Sequence, residues 1–177
     1  MKASRYLTHM KKLRDAAEPL ERLMTSVAGL GPKLGPILFQ FPHTWPLDLA
    51  RLEAFLPLLQ ADAIPTDARF AFEFRHASWL RPEVYSSLRE HRCALCIPDS
   101  PTLPQDRQVT TDFAYVRLHA GRYLGGDYTE GELGDWAGWL RARRDEGIDA
   151  WVYFNNDWEG YALGNARRLT EMLSSPS

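Results

Sequence analysis

The segment Phe70-Ala71-Phe72-Glu73-Phe74-Arg75 alternates with a period of two, the signature of a β-strand. On such a strand Phe70, Phe72 and Phe74 share one face, and Ala71, Glu73 and Arg75 share the other. The aromatic face needs a packed layer over it. The carboxylate and guanidinium need water, a ligand or polar partners. A barrel strand meets both demands, with apolar side chains outward beneath helices and polar ones inward near the mouth.

The same reading extends in both directions. Lys2 to Arg5 resembles the tail of a strand, and Tyr6-Leu7-Thr8-His9 follows it like a functional loop. A helix is predicted over about 18–29, with Leu20, Leu23, Met24 and Val27 at helical spacing and Gly29 or Gly31 closing it. A strand over 36–41 stops at Pro42. A helix over 47–59 carries Leu49, Leu52, Leu56 and Leu59 on one stripe. After the strand at about 69–74, Pro82 starts a helix to about His91. Cys93 to Ile97 reads as a short strand broken by Pro98-Asp99-Ser100-Pro101, followed by a polar loop over 102–112. A strand over 113–119, a glycine-bearing loop over 120–128, a helix over 132–146, a strand over 150–155 and a helix to about 173 complete the chain.

Strand and helix alternate, and six strands are counted if the opening residues contribute one. This is the pattern of an α/β fold with parallel strands and right-handed crossovers. With no Gly-x-Gly-x-x-Gly, a dinucleotide-binding sheet is disfavoured, and a TIM-barrel-like fold of about six units is expected. Residues 1–177 are expected to be one domain, an incomplete barrel lacking its first two units. Such a barrel would have open edges and a tendency to self-associate through them.

Strand parity gathers polar side chains at the C-terminal ends of the strands, where barrel enzymes place their chemistry. They are Lys2 and Ser4; Gln40; Glu73 and Arg75; Tyr115, Arg117 and His119; and Trp151, Tyr153 and Asn155, with Asp99 just past its strand. Phe39, Val116, Leu118, Val152 and Phe154 fall on the opposite faces, suited to helix packing. The competing reading is a structural hydrogen-bond network in which Arg75 neutralises Glu73 and Arg117 bridges strands. His76 suits a capping role as well as a catalytic one, and Trp79, Trp136, Trp139 and Trp158 suit a core or a pocket wall. The glycine-bearing loops at 121–126 and 155–160 would offer backbone amides to an anion alongside Lys2, Arg75 and Arg117.

Composition narrows this little. The chain has 177 residues, 45% of them hydrophobic, and a net charge of -2, enough for a real core and too near neutral for a general nucleic-acid binder. No apolar run approaches the roughly 18 residues of a membrane helix, and no signal core follows the N-terminus, so a cytoplasmic location is expected. Cys93 and Cys96 form a C-x-x-C, but residues three apart on a strand face opposite sides, which favours a structural role. No zinc motif or nucleophile elbow is present. Glu73, Asp99 and His119 would be the ligands of a divalent cation, but neighbouring cations oppose one, so no metal and no cofactor are expected.

The motifs Lys2-Ala3-Ser4-Arg5 with Thr8-His9, Phe39-Gln40-Phe41-Pro42, Glu73-Phe74-Arg75-His76 with Trp79, Arg117-Leu118-His119, Tyr153-Phe154-Asn155-Asn156 and Asn165-Ala166 resemble the YecE-like family, domain of unknown function 72. The match runs in order from the first residue to the last helix. The resemblance implies a TIM-barrel-like fold and carries little functional information. Family members begin with two further strand–helix units that are missing here, so the resemblance implies an N-terminally truncated member. Ala120 stands where the family pattern has glycine.

The expected function is a small-molecule enzyme acting on an anionic, phosphorylated or carboxylated, sugar-like substrate. Arg75, Arg117 and Lys2 would hold the anion and Glu73 would be the general base, kept ionised by adjacent positive charge. His119 would be the acid or a hydrogen-bond partner, with Asp99 a further catalytic candidate. Tyr153 and Asn155 would orient substrate, with Ser4, His9, Gln40, His76, Trp79 and Asn156 completing the substrate-binding set. Hydrolysis, isomerisation and lyase chemistry all stay open. The alternative is a binding module without catalysis, for nucleic acid or for a protein at the barrel edge, with Trp79, Tyr123 and Trp158 as stacking faces.

Overall fold

The structure, a computed structural model, describes residues 1–119 and 126–174. It is an α/β fold whose strands are all parallel and run in the order β1 (Ile37–Gln40), β2 (Phe70–Glu73), β3 (Ala94–Asp99), β4 (Phe113–Leu118), β5 (Asp149–Phe154). The chain divides into two compact units, Met1–Leu95 and Cys96–Ser177.

In the first unit, Phe39 stands in register with Phe72, and Gln40 with Glu73. In-register residues of parallel strands point to the same face, so the aromatic and polar faces of β1 and β2 coincide. Phe39 stacks on Phe72 with ring centroids 5.2 Å apart, and Phe41 on Phe74 at 5.4 Å. Phe55 of α2 (Leu49–Phe55) meets Phe39 edge-on at 5.4 Å. The aromatic face is therefore the helix-covered one, as the alternation at 70–75 requires.

Local chemistry sets the helix limits. Asp48 accepts from the Arg51 amide to cap α2. The expected helix over 47–59 changes to a 3-10 turn at Leu56, because Pro57 brings no N–H to continue the α ladder. α1 (Ala17–Val27) buries Leu20, Met24 and Val27 and likewise tightens into a 3-10 segment, Ala28–Lys33, containing Gly31 at φ +46° and Pro32. α3 (Pro82–Glu90) begins on its proline as expected.

The opening residues are a finding. The expected first strand is a single bridge, Lys2 to Leu38, and Tyr6–Met10 is one turn of π-helix. Lys12, Leu13 and Asp15 then adopt positive φ.

In the second unit β4 pairs with the C-terminal part of β3 and, over its whole length, with β5. β3 continues through Pro98 to Asp99, beyond the break expected there. Asp99 O accepts from the His119 amide, so Asp99 directs its backbone polar groups toward β4. Its neighbour Pro98 then faces the other way, and its missing N–H removes no bond to β4. α4 (Glu130–Asp145) starts two residues earlier than expected, because Thr129 and Glu132 form a reciprocal capping box. It packs Leu133, Trp136, Ala137 and Leu140 with Ile97, Val116 and Leu118, and with Leu169 of α5 (Tyr161–Ser174).

Phe72 is fully buried among Phe39, Phe41 and Phe55. Phe72→Ala is expected to cost about 3–5 kcal/mol in denaturant unfolding through lost burial and a cavity. Leu163→Ala, at a residue 64% exposed, is expected to stay within about 0.5 kcal/mol.

Candidate functional site

Glu73 ends β2 on the polar face with its side chain wholly out of solvent. Gln40 Nε2 donates to Glu73 Oε1 at 2.9 Å, which is the cross-strand consequence of the Gln40–Glu73 register. Arg75 Nε donates to the same oxygen at 2.7 Å. This engages one edge of the guanidinium; among the described residues its terminal nitrogens make no hydrogen bond, and the side chain keeps 29% of its exposure. A buried carboxylate here positions a half-exposed cation.

More positive charge gathers at the same unit's N-terminus. Lys2 bridges Leu38, which shares a face with Gln40, so Lys2 belongs to the polar face. Ser4 heads the π turn, its carbonyl accepting from the Thr8 amide at 3.2 Å and from Thr8 Oγ1 at 3.0 Å, and its Oγ accepting from the Leu7 amide. His9 Nδ1 lies 2.9 Å from Thr8 Oγ1. Burial, then the charges of Arg5, Arg75 and Lys2, hold His9 below the ordinary histidine range. Lys2, Arg5, His9, Gln40, Glu73 and Arg75 thus form one electrostatic group. Arg5 was outside the expected set; its signal was the basic Lys-x-x-Arg spacing ahead of Thr8-His9.

Two expected residues of this unit have structural partners. His76 caps the short turn Ala77–Trp79, accepting from the Ser78 amide at 3.2 Å and contacting Ser78 Oγ at 2.8 Å. Trp79 is fully buried, stacked on Phe74 at 4.3 Å, with Nε1 donating to Trp45 O.

In the second unit Arg117 is in register with Tyr153, and Tyr115 with Trp151, so all four share a face. Arg117 Nε donates to Asn155 Oδ1 at 3.1 Å. Tyr115 stacks on Tyr153 at 5.0 Å, and burial, then Tyr153, pushes the Tyr115 hydroxyl well above its usual range. His119 follows β4, half-buried. Asp99 is in register with Leu118, on the face opposite Arg117, and accepts from Trp136 Nε1 at 2.7 Å. Arg107 covers that indole at 4.0 Å. Asn156 is fully buried, donating to Gly126 O and to Asn165 Oδ1. Asn165 in turn accepts from the Tyr128 amide and donates to Asp127, tying the segment before α4 to α5. The loop expected to hold an anion at 121–126, and Tyr123 within it, lie outside the described residues except for Gly126.

Among the described residues no three His, Cys, Asp or Glu side chains converge as metal ligands. The cysteines diverge: Cys93 packs in the core of the first unit, whereas Cys96 shares a face with Tyr115. No described helix is long and apolar enough to cross a membrane.

Two predictions follow from burial. Arg75→Ala leaves Glu73 buried without its cation and is expected to cost about 3 kcal/mol, whereas adding Glu73→Gln recovers much of the loss, as a double-mutant unfolding cycle will read. Burial pushes the Cys93 thiol up to about 12. Because the folded value is raised, the stabilising contribution is whole below about pH 9 and is lost as pH climbs toward 12. A thiol reagent at pH 8 is therefore expected to spare Cys93 in the native protein and modify it on unfolding.

The chain matches the family described as protein of unknown function DUF72 over residues 1–177. Among solved structures, the DUF72 protein of Thermotoga maritima superposes with a TM-score of 0.84 at 28% identity, covering 98% of this chain and 72% of the other. A DUF72 protein of Enterococcus faecalis gives 0.76 at 22% identity, covering 91% of this chain and 67% of the other, and a second structure of it gives 0.68 at 24%, covering 97% and 71%. The Enterococcus likenesses speak to the fold alone. No curated protein matches. With its whole length matched and its motifs set on parallel strands, the chain belongs to the DUF72 family, whose function is unknown.

Proposed function

We propose that the chain is an enzyme acting on an anionic small molecule, a phosphorylated or carboxylated sugar-like compound. The observation that carries this reading is the cation group around Glu73. Lys2, Arg5 and the outer nitrogens of Arg75 carry no protein counter-ion among the described residues, yet they act together on His9. Clustered cations repel one another, and holding them together without partners favours a ligand that brings the missing negative charge. Glu73 is the proton acceptor in this reading, fixed by Gln40 and Arg75. Arg117, His119, Tyr153 and Asn155 are the residues of the second unit to be tested by the same readouts.

Arg75 is a poor probe of anion binding, because its removal also strands Glu73. Lys2 and Arg5 are exposed and are the better pair to change. A thermal-shift panel of sugar phosphates and sugar acids at low ionic strength is expected to give stabilising anions. Half-saturation should weaken at least about tenfold in the Lys2→Gln/Arg5→Gln double variant. If no anion stabilises the protein, or the double variant binds as the wild type does, the anion site is wrong. Catalysis is separated from mere binding by Glu73→Gln, which is expected to keep binding and stop turnover of any compound consumed.

A further inference from the structure

Thr8 Oγ1 has one proton, and it is used on Ser4 O at 3.0 Å. Its 2.9 Å contact with His9 Nδ1 must then run from the ring, with Nδ1–H donating and Oγ1 accepting. Thr8 is buried, so this arrangement fixes the tautomer. In the neutral ring Nε2 holds the lone pair. The charged groups acting on the ring come from three places: Lys2 at the bridge to β1, Arg5 ahead of the π turn, and Arg75 beyond β2. The other charges nearby are engaged, Lys11 with Asp15 at 3.0 Å and Glu73 with Arg75.

We propose that this cluster takes a doubly charged phosphoryl group, and that His9 takes up one proton at Nε2 as the group binds. The inference rests on the anion reading above and narrows its substrate class to phosphate monoesters. The proton comes from solvent when a dianion binds, or from the ligand's own P–O–H when a monoanion binds. In both cases the phosphoryl group ends doubly charged and the ring becomes imidazolium, with no bond to phosphorus formed or broken. Nε2–H then donates to a phosphoryl oxygen while Nδ1–H stays on Thr8.

Linkage makes the coupling obligatory for a ligand seated here. Three cations disfavour the imidazolium, and two negative charges placed among them remove that penalty. A carboxylate, with one charge, removes less of it. Two properties follow: binding is tighter where His9 can protonate, and doubly charged oxyanions are preferred over singly charged ones.

The test is histidine-ring NMR on the full chain, with the His9 signal assigned by its loss in His9→Gln. Sulfate, which does not titrate near neutral pH, and inorganic phosphate are the probes, with acetate as the singly charged control. Saturating sulfate or phosphate is expected to raise the His9 midpoint by about one pH unit, equivalent to about tenfold tighter binding to the protonated ring. Acetate should move it less, and His43, His76 and His91 should not follow. Saturable binding that leaves the His9 midpoint in place, or no binding of either dianion, overturns the inference. If His9 responds but no phosphorylated compound is consumed, the site stands and the enzymatic reading falls. If a compound is consumed in a Glu73-dependent way while His9 does not respond, the enzymatic reading stands and this inference falls.

Discussion

A carboxylate at the end of a buried strand has to be satisfied, and the way Glu73 is satisfied shapes the first unit. Its oxygen draws Gln40 across from β1 and Arg75 back from the residue pair beyond β2. The first contact depends on register: a slip of one residue would put Glu73 opposite an aromatic position and Phe72 on the polar face. The second depends on Phe74, which anchors the chain between the two charged residues by stacking on Phe41 and Trp79. The aromatic layer and the ion pair are thus two sides of one alternating segment. Replacing such a pair by apolar side chains is commonly neutral or stabilising. Its retention in a buried strand is better understood as fixing where Arg75 points.

Period-two alternation made this much legible before any coordinates. The faces of β1, β2, β4 and β5 fall as parity assigns them, because a strand buried on one side by helices cannot tolerate a one-residue error. Parity failed to place Asp99 because the strand was taken to end at Pro98. In the structure β3 runs one residue further, and alternation carries Asp99 to the helix side, where Trp136 donates to it. Proline breaks a strand only where its missing N–H is needed, and one-dimensional reading cannot see which edge that is. The Thr129–Glu132 box was visible as a Thr-x-x-Glu spacing and would have set the start of α4 correctly.

The π turn was less accessible. Tyr6 to Met10 has no periodicity that separates it from a loop, and its geometry depends on Thr8 closing back on Ser4. Single π turns occur disproportionately at functional sites because the widened turn aims a side chain that an α-helix would place elsewhere. Here the side chain so aimed is His9. The strained residues that follow, Lys12, Leu13 and Asp15 at positive φ, turn the chain back toward α1, where Leu13 is buried. Asn156 and Asn165 show the converse: polar motif residues that resemble a site, whose side-chain amides satisfy one another and the backbone around Tyr128.

Net charge is a poor guide to what such a protein recognises. The chain is slightly acidic, and several surface cations are neutralised locally, Arg22 by Glu18, Arg51 by Asp48 and Arg168 by Glu130. Exposed pairs like these contribute little to stability, but they cancel the far field of their members. Lys2, Arg5 and Arg75 are arranged differently. The one carboxylate near them is buried and touches only Arg75, on its inner edge. Their combined field therefore survives at the place where His9 registers it. Selectivity for an anion then comes from local imbalance within a nearly neutral molecule. It also sets a limit on partners, since a long polyanion would meet acidic surface on either side of a cluster this small, whereas a single small anion would not.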